Sequence, residues 1–315
     1  MVGSRVERMW VEAWSPEYGT SYGLRDDDGA SGAEEPQGEA LGEVPWEPVD
    51  PAPVPCPAVA FLDGVSRVDA RVFLDTGGDP AVGLCGSVGV GAMLTDGTAH
   101  FAPPRIQRAR VFGPGVEPSV PLAIGRLDYV DRPARSATPE GIRMALERLR
   151  EETEVAMAAS LAHDGWVVIA DGRLRRVEPE NIVGYIKSQD GRYLGPDLAP
   201  LVGRLGAGQR TPLFGLRRSH HFSWYLRLAS SPGGHPWAGI VRCEVSASLP
   251  LSRVVALADL TAAHLPRFAS PGYWDSRSPQ NLVPIATLER RLWHLLGDRE
   301  IVLRRIRAAA AGGGS

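Results

Sequence analysis

Two aspartates, Asp63 and Asp171, each end an apolar run and each precede a glycine, in "AFLDG" and "WVVIADG". Between them lies a long helical pattern that carries Glu147, Glu151, Glu152 and Glu154. Carboxylates gathered in one pocket repel unless hard divalent cations sit between them, and Mg²⁺ or Mn²⁺ favours oxygen ligands. Two such ions about 3.5–4 Å apart activate a water and stabilise the leaving oxygen of a phosphodiester. Lys187, in "VGYIKSQDGRYL", is the one lysine among 34 basic residues. A lysine kept among so many arginines suits a site that needs a compact point charge in place of a planar fork. Each feature also has an ordinary reading. Asp-Gly is a common turn signal, and a single lysine can be chance.

The elements around these residues must bring them together. "AFLDGVSRVDARVF" reads as a strand ending at Asp63, an Asp-Gly turn, and a second strand over 67–74. The glycine-punctuated "GLCGSVGVGAMLT" reads as a third strand, because its G-x-x-G-x-G order is wrong for a dinucleotide loop and no helix follows it. Short strands are expected around "RARVF" and "RLDYV". Thr138 caps a helix with Pro139 at its first position, and the pattern runs to Gly165. "WVVIADG" is then an apolar strand of the kind found in the middle of parallel sheets. "IVGYIKS", "SWYLRL" and "AGIVRCEVS" read as further strands, followed by a loop and one long C-terminal helix. On the first helix, Ile142, Ala145, Leu146, Leu149, Thr153, Ala156 and Ser160 form one stripe. Glu152 lies nearest its border, so it is the helical carboxylate expected to join the two aspartates. Its ordinary alternative is an ion pair with a neighbouring arginine.

Charge divides the chain. Residues 1–55 carry 12 acidic and 3 basic side chains, while from Arg204 onward there are 15 arginines against 6 acids. The arm 1–55 is rich in Pro and Gly and is expected to be mostly disordered, with "MWVEAW" as its one strand-like piece. Residues 56–308 are expected to form one domain and 309–315 a flexible tail. The basic body suits an anionic partner such as DNA. Cys56, Cys85 and Cys243 suggest neither a disulfide framework nor a zinc site. No stretch reads as a membrane span or a secretory leader, so a cytoplasmic chain is expected.

Three antiparallel strands, a helix, and an apolar strand parallel to the first make the opening of a ribonuclease-H-like (PIWI/Argonaute-like) α/β fold. On these residues the sequence resembles the NurA nucleases over most of its length beyond the arm. "FLDGVSR" resembles the first metal motif of that family, with Asp63 as ligand. "VVIADGRL" resembles the later Asp-Gly-Ser-Leu motif, with Arg173 in the serine position. The helical glutamate of the family falls at Glu152, and "VGYIKS" resembles the following strand with its lysine. In the C-terminal segment "PQNLVPIATLE", Asn281 stands in place of an aromatic residue, and Glu289 falls near the position of a family histidine. The resemblance implies a Mn²⁺- or Mg²⁺-dependent nuclease acting on single strands and duplex ends, a homodimer, and a HerA-type hexameric translocase as partner. Asp63, Glu152 and Asp171 would hold metal, with Lys187 and Glu289 assisting. A rival expectation is an inactive member that docks on an ATPase ring or binds DNA.

Two further features complete the reading. Arg217, Arg218, His220 and His221 could contact phosphates, with Trp224 and Tyr225 stacking on bases; aromatics on alternating strands are also common in cores. No G-x-S-x-G elbow and no Walker lysine motif occur, which argues against a serine hydrolase and against ATP chemistry in this chain.

Overall fold

The computed structural model describes residues 9–11, 38–41, 45–118, 122–124, 127–174, 180–187, 193–216, 220–230, 237–272 and 278–312. Strands β1 (Met9–Val11), β2 (Gly38–Ala40), β3 (Val59–Leu74), β4 (Ala81–Thr95), β5 (Ala99–Phe101), β6 (Arg105–Phe112), β7 (Leu122–Ile124) and β8 (Leu127–Pro133) come first. Helix α1 (Pro139–His163) follows, then β9 (Val167–Asp171), β10 (Ile182–Ile186) and α2 (Pro200–Arg204). The chain closes with β11 (Phe214–Leu216), β12 (His221–Arg227), β13 (Ile240–Ser246), α3 (Leu251–His264), α4 (Val283–Leu295) and α5 (Arg299–Gly312).

One mixed sheet runs in the order β2-β11-β12-β13-β10-β9-β3-β4-β6-β8-β7, with β1 added to β3 and β5 to β4. β9 is parallel to both β3 and β10, and β4 is antiparallel to β3. Alternation along β3 divides two cores. Val59 and Phe61 pack with residues of α3 and α4 such as Val254, Leu257 and Ile285. Ala60 and Leu62 pack with Ile142, Leu146 and Leu149 of α1. A Cβ at Gly86 would come against the Leu146 methyls, so that glycine lets α1 lie close on β4.

The expected hairpin at Asp63-Gly64 is not there. Residues 59–74 form a single strand, paired with β4 throughout, and the irregularity is a bulge between Val68 and Ala70. A bulge inserts one residue and reverses which side chains face which side. On the face covered by α3, α4 and α5 the buried set accordingly passes from Val59, Phe61 and Val65 to Ala70, Val72 and Leu74, a phase change that resembles two strands in the sequence.

In the acidic arm, β1 pairs with the end of β3 within the strand-like "MWVEAW", β2 pairs with β11, and Trp46 Nε1 donates to Leu198 O at 3.0 Å. One other expectation is corrected. The C-terminal helix is two helices, broken where Gly297 takes φ 83°. The second of them runs to Gly312, into the stretch expected to be a flexible tail. Helix α3 lies in a stretch left unassigned above. No helix among the described residues is long and apolar enough to cross a membrane.

Candidate active site

The last parallel pair between β3 and β9 is Leu62↔Ala170, which places Asp63 and Asp171 side by side at the next position. β9 ends there. From Asp63 to Arg71 that edge of β3 carries no paired strand among the described residues, until β1 takes it up at Val72. The two aspartates thus stand in a fork between diverging strands. Alternation puts them on the face of Phe61 and Ile169, under α3 and α4. Gly64 is no turn residue: a Cβ there would overlap Glu154 Oε1, so the missing side chain makes room for a carboxylate arriving from α1.

Lys187 joins this group. Its Nζ lies 2.7 Å from Asp171 Oδ2 and 3.5 Å from Asn281 Oδ1, just ahead of α4. Tyr185 on β10 donates from its hydroxyl to Gln280 O at 2.6 Å, fixing the segment that carries Asn281. Asp171 Oδ1 is buried without a hydrogen-bond partner among the described residues. Asp63 accepts from the amide of Gly64 at 2.7 Å. Burial, with the charge of Asp171 added, drives the Asp63 carboxyl well above the usual carboxylate range, and Lys187 offsets only part of this. Burial likewise pushes Glu154 up to about 7 against the pull of Arg150, whose Nη1 is 2.6 Å from Glu154 Oε1. Arg150 also reaches Glu147 Oε2 at 3.1 Å, and Glu147 accepts from Ser66 Oγ at 2.6 Å.

Glu152 is not in this group. It is 45% exposed and pairs with Arg132 at 3.0 Å, the ordinary alternative for that residue. The stripe that pointed to Glu152 counted Ala156 and Ser160 as core, but both are exposed. α1 instead buries Met157, Ala158, Leu161 and Ala162 in its second half. At about 100° per residue, that shift turns the packed face toward Glu154 and away from Glu152. Weighting bulk over mere apolarity, with Met157 and Leu161 set against Ala156, would have found Glu154.

No protein-family model matches the chain, and no curated protein matches it significantly. Among solved structures it is similar to the NurA nuclease from Sulfolobus solfataricus. The TM-score is 0.45 and the identity 12%, over 80% of this chain and 86% of that one. No residue role is carried across at that identity.

The remaining expected residues fall elsewhere. Trp224 is fully buried and donates from Nε1 to Thr261 Oγ1 of α3 at 3.0 Å. Tyr225 is 1% exposed and stacks on Phe214, so neither ring is open to a base. His221 is buried, which lowers its pKa, while His220 is exposed in a left-handed conformation at φ 53°. Arg217 and Arg218 lie outside the described residues. Glu289 is half-buried on α4.

The raised carboxyls have a consequence for stability. Between the usual carboxylate range and about pH 7, folded Glu154 holds a proton that the unfolded chain has lost. Stability without metal therefore falls as pH rises through that window. Asp63 acts with the same sign. Thermal unfolding in EDTA at pH 5 and pH 8 checks this. Glu154→Gln should remove on the order of 3 kcal/mol of the difference; an unchanged difference would show that Glu154 holds no such proton.

Proposed function

We propose that this chain is a divalent-metal-dependent DNA nuclease of ribonuclease-H-like architecture. The observation that carries the reading is the register of Asp63 and Asp171 on adjacent parallel strands, with Glu154 entering from α1. As they stand, no three His, Cys, Asp or Glu side chains among the described residues form a ready metal group. The donor set nevertheless suits a hard cation. Asp171 Oδ1 is a buried acceptor unpartnered among the described residues, and Asp63 is a part-buried, desolvated carboxyl beside a second carboxylate. Asp63 and Asp171 would hold the ion, and Glu154 would join them on release from Arg150.

A bound Mg²⁺ or Mn²⁺ supplies a water of lowered pKa and a counter-charge for the leaving oxygen. The chain's own groups do the rest. Lys187 orients Asp171 and places a positive charge where a scissile phosphate would sit. Asn281 holds Lys187 from the other side. Arg150 keeps Glu154 in place and balances its charge. Action on single strands and duplex ends as a dimer, with a HerA-type translocase, follows from the resemblance of the motifs and belongs to the same proposal.

End-labelled single-stranded and blunt duplex DNA, incubated with Mn²⁺, Mg²⁺ or EDTA, test the reading. Cutting is expected with either metal, none in EDTA, and none by an Asp63→Asn/Asp171→Asn double variant. Wild-type protein that cuts neither substrate, alone or with a translocase of that type, would leave the docking or DNA-binding alternative.

A further inference from the structure

Trp293 is 41% exposed on α4, while Ile285, Leu288 and Leu292 of the same helix and Leu296 at its C-cap are buried. Those four residues fix how the helix lies. Ile285 enters the core that holds Phe61 and Ile169, and Leu288, Leu292 and Leu296 cover Val65. A Cβ at Gly91, the partner of Asp63 in β4, would come within 3.0 Å of Leu288 and 3.2 Å of Leu292. α4 therefore lies across β3 and β4, with the shoulder that bears Ile285 turned toward β9. At about 100° per residue, Glu289 and Trp293 lie about 40° and 80° round from Ile285, and Arg290, three residues before Trp293, is its neighbour toward the outer face. The helix itself starts beside Asn281, and hence beside Lys187 and Asp171. Arg290 is held along the helix by bonds from Nε to Ala286 O at 3.2 Å and from Nη2 to Thr287 Oγ1 at 3.5 Å.

An indole left in water, with an arginine one helical turn before it, suits a base with its phosphate. Every base has a π-face to stack, and the cation takes the backbone charge. We propose that Trp293, with Arg290 one turn before it on α4, is a stacking platform for an unpaired base of a single DNA strand held at the Asp63–Asp171 fork. The inference rests on the nuclease reading. It also names a substrate form: a duplex hides its base faces, so the platform engages only an unpaired strand.

Fluorescence anisotropy of the full chain with labelled oligothymidylate, in EDTA so that nothing is cut, reads the platform directly. Trp293→Ala should bind about 10-fold more weakly, and Trp293→Phe should keep most of the affinity. Arg290→Gln should lower the slope of log affinity against log salt by about 1. Affinity for blunt duplex should be unchanged by Trp293→Ala. Thermal melts of each variant separate lost binding from lost fold. Equal binding of oligothymidylate by wild type and Trp293→Ala overturns the platform, as does wild type that binds none. A parallel cutting assay with Mn²⁺ keeps the two readings apart. Trp293-dependent binding without any cutting sinks the nuclease and keeps the platform; cutting with Trp293-independent binding sinks the platform alone.

Discussion

Glu154→Gln is expected to reduce metal-dependent cutting of end-labelled DNA about 10³-fold, and Glu152→Gln to leave it within about twofold. The first figure reflects several kcal/mol of transition-state charge stabilisation lost with one ligand carboxylate. Asp63→Asn and Asp171→Asn should cost at least as much, because each removes a carboxylate from the centre of the fork. Glutamine keeps the size of Glu154 and still bonds to Arg150, so the variant should fold. It should also melt higher than wild type above pH 7, since it removes a buried charge that burial disfavours. Loss of cutting with a gain in stability is the signature of a group kept for chemistry. Glu152 pairs with Arg132 at an exposed site, where an ion pair contributes little. Initial rates at saturating Mn²⁺ for the four variants, with melts alongside, decide the matter. A Glu152→Gln variant that loses activity while Glu154→Gln keeps it would return the third ligand to the position first expected.

The two aspartates were legible because a parallel pair of apolar strands leaves a strong trace. "AFLD" and "WVVIAD" are continuous apolar runs, and a helix between them forces a crossover connection. Lys187 was legible through its rarity. What the sequence hid was the phase of things. At Asp69 a single extra residue moves the side chains under α3, α4 and α5 from odd to even positions, so one strand of 16 residues reads as two. On α1 the packed face turns along the helix, and four glutamates within eight positions differ only by that turn. The buried aromatics of β12 show the same ambiguity: alternation puts Trp224 and Tyr225 on opposite faces, and both faces of this strand are covered. Nothing in the residues at 217–225 tells a covered face from an open one. In the arm, the strand-like "MWVEAW" was legible and its Met9–Val11 pair with β3, whereas the three residues Gly38–Ala40 that pair with β11 are too few to register in a pattern.

Asp69→Ala is expected to destabilise the fold by about 3–5 kcal/mol, the cost of removing one partner from a buried charge cluster. Asp69 is fully buried at the bulge. It accepts from Arg67 Nε at 2.8 Å, from Tyr129 Oη at 2.8 Å and from Ser87 Oγ, and Arg108 Nη1 lies 3.7 Å away. The two arginines then reach the end of α4. Arg67 donates to Gly297 O at 2.8 Å and Leu296 O at 3.2 Å, and Arg108 donates to Leu296 O at 3.0 Å. Positive groups on the last carbonyls of a helix satisfy orphan acceptors and offset the helix dipole. One aspartate thereby fastens α4, whose other end meets Asn281 and Lys187. Without it, two guanidiniums remain in a dry site with no carboxylate, and the hold on α4 loosens. Chemical denaturation of Asp69→Ala against wild type gives the magnitude. A triple variant, Asp69→Leu/Arg67→Met/Arg108→Met, should recover part of the loss, because an apolar cluster of similar volume leaves no unpaired charge. Its cutting rate should still be low, since the carbonyls of Leu296 and Gly297 would have lost their donors and α4 would no longer hold its place beside the fork. Equal stability of Asp69→Ala and wild type would mean that the helix is held by its apolar face alone.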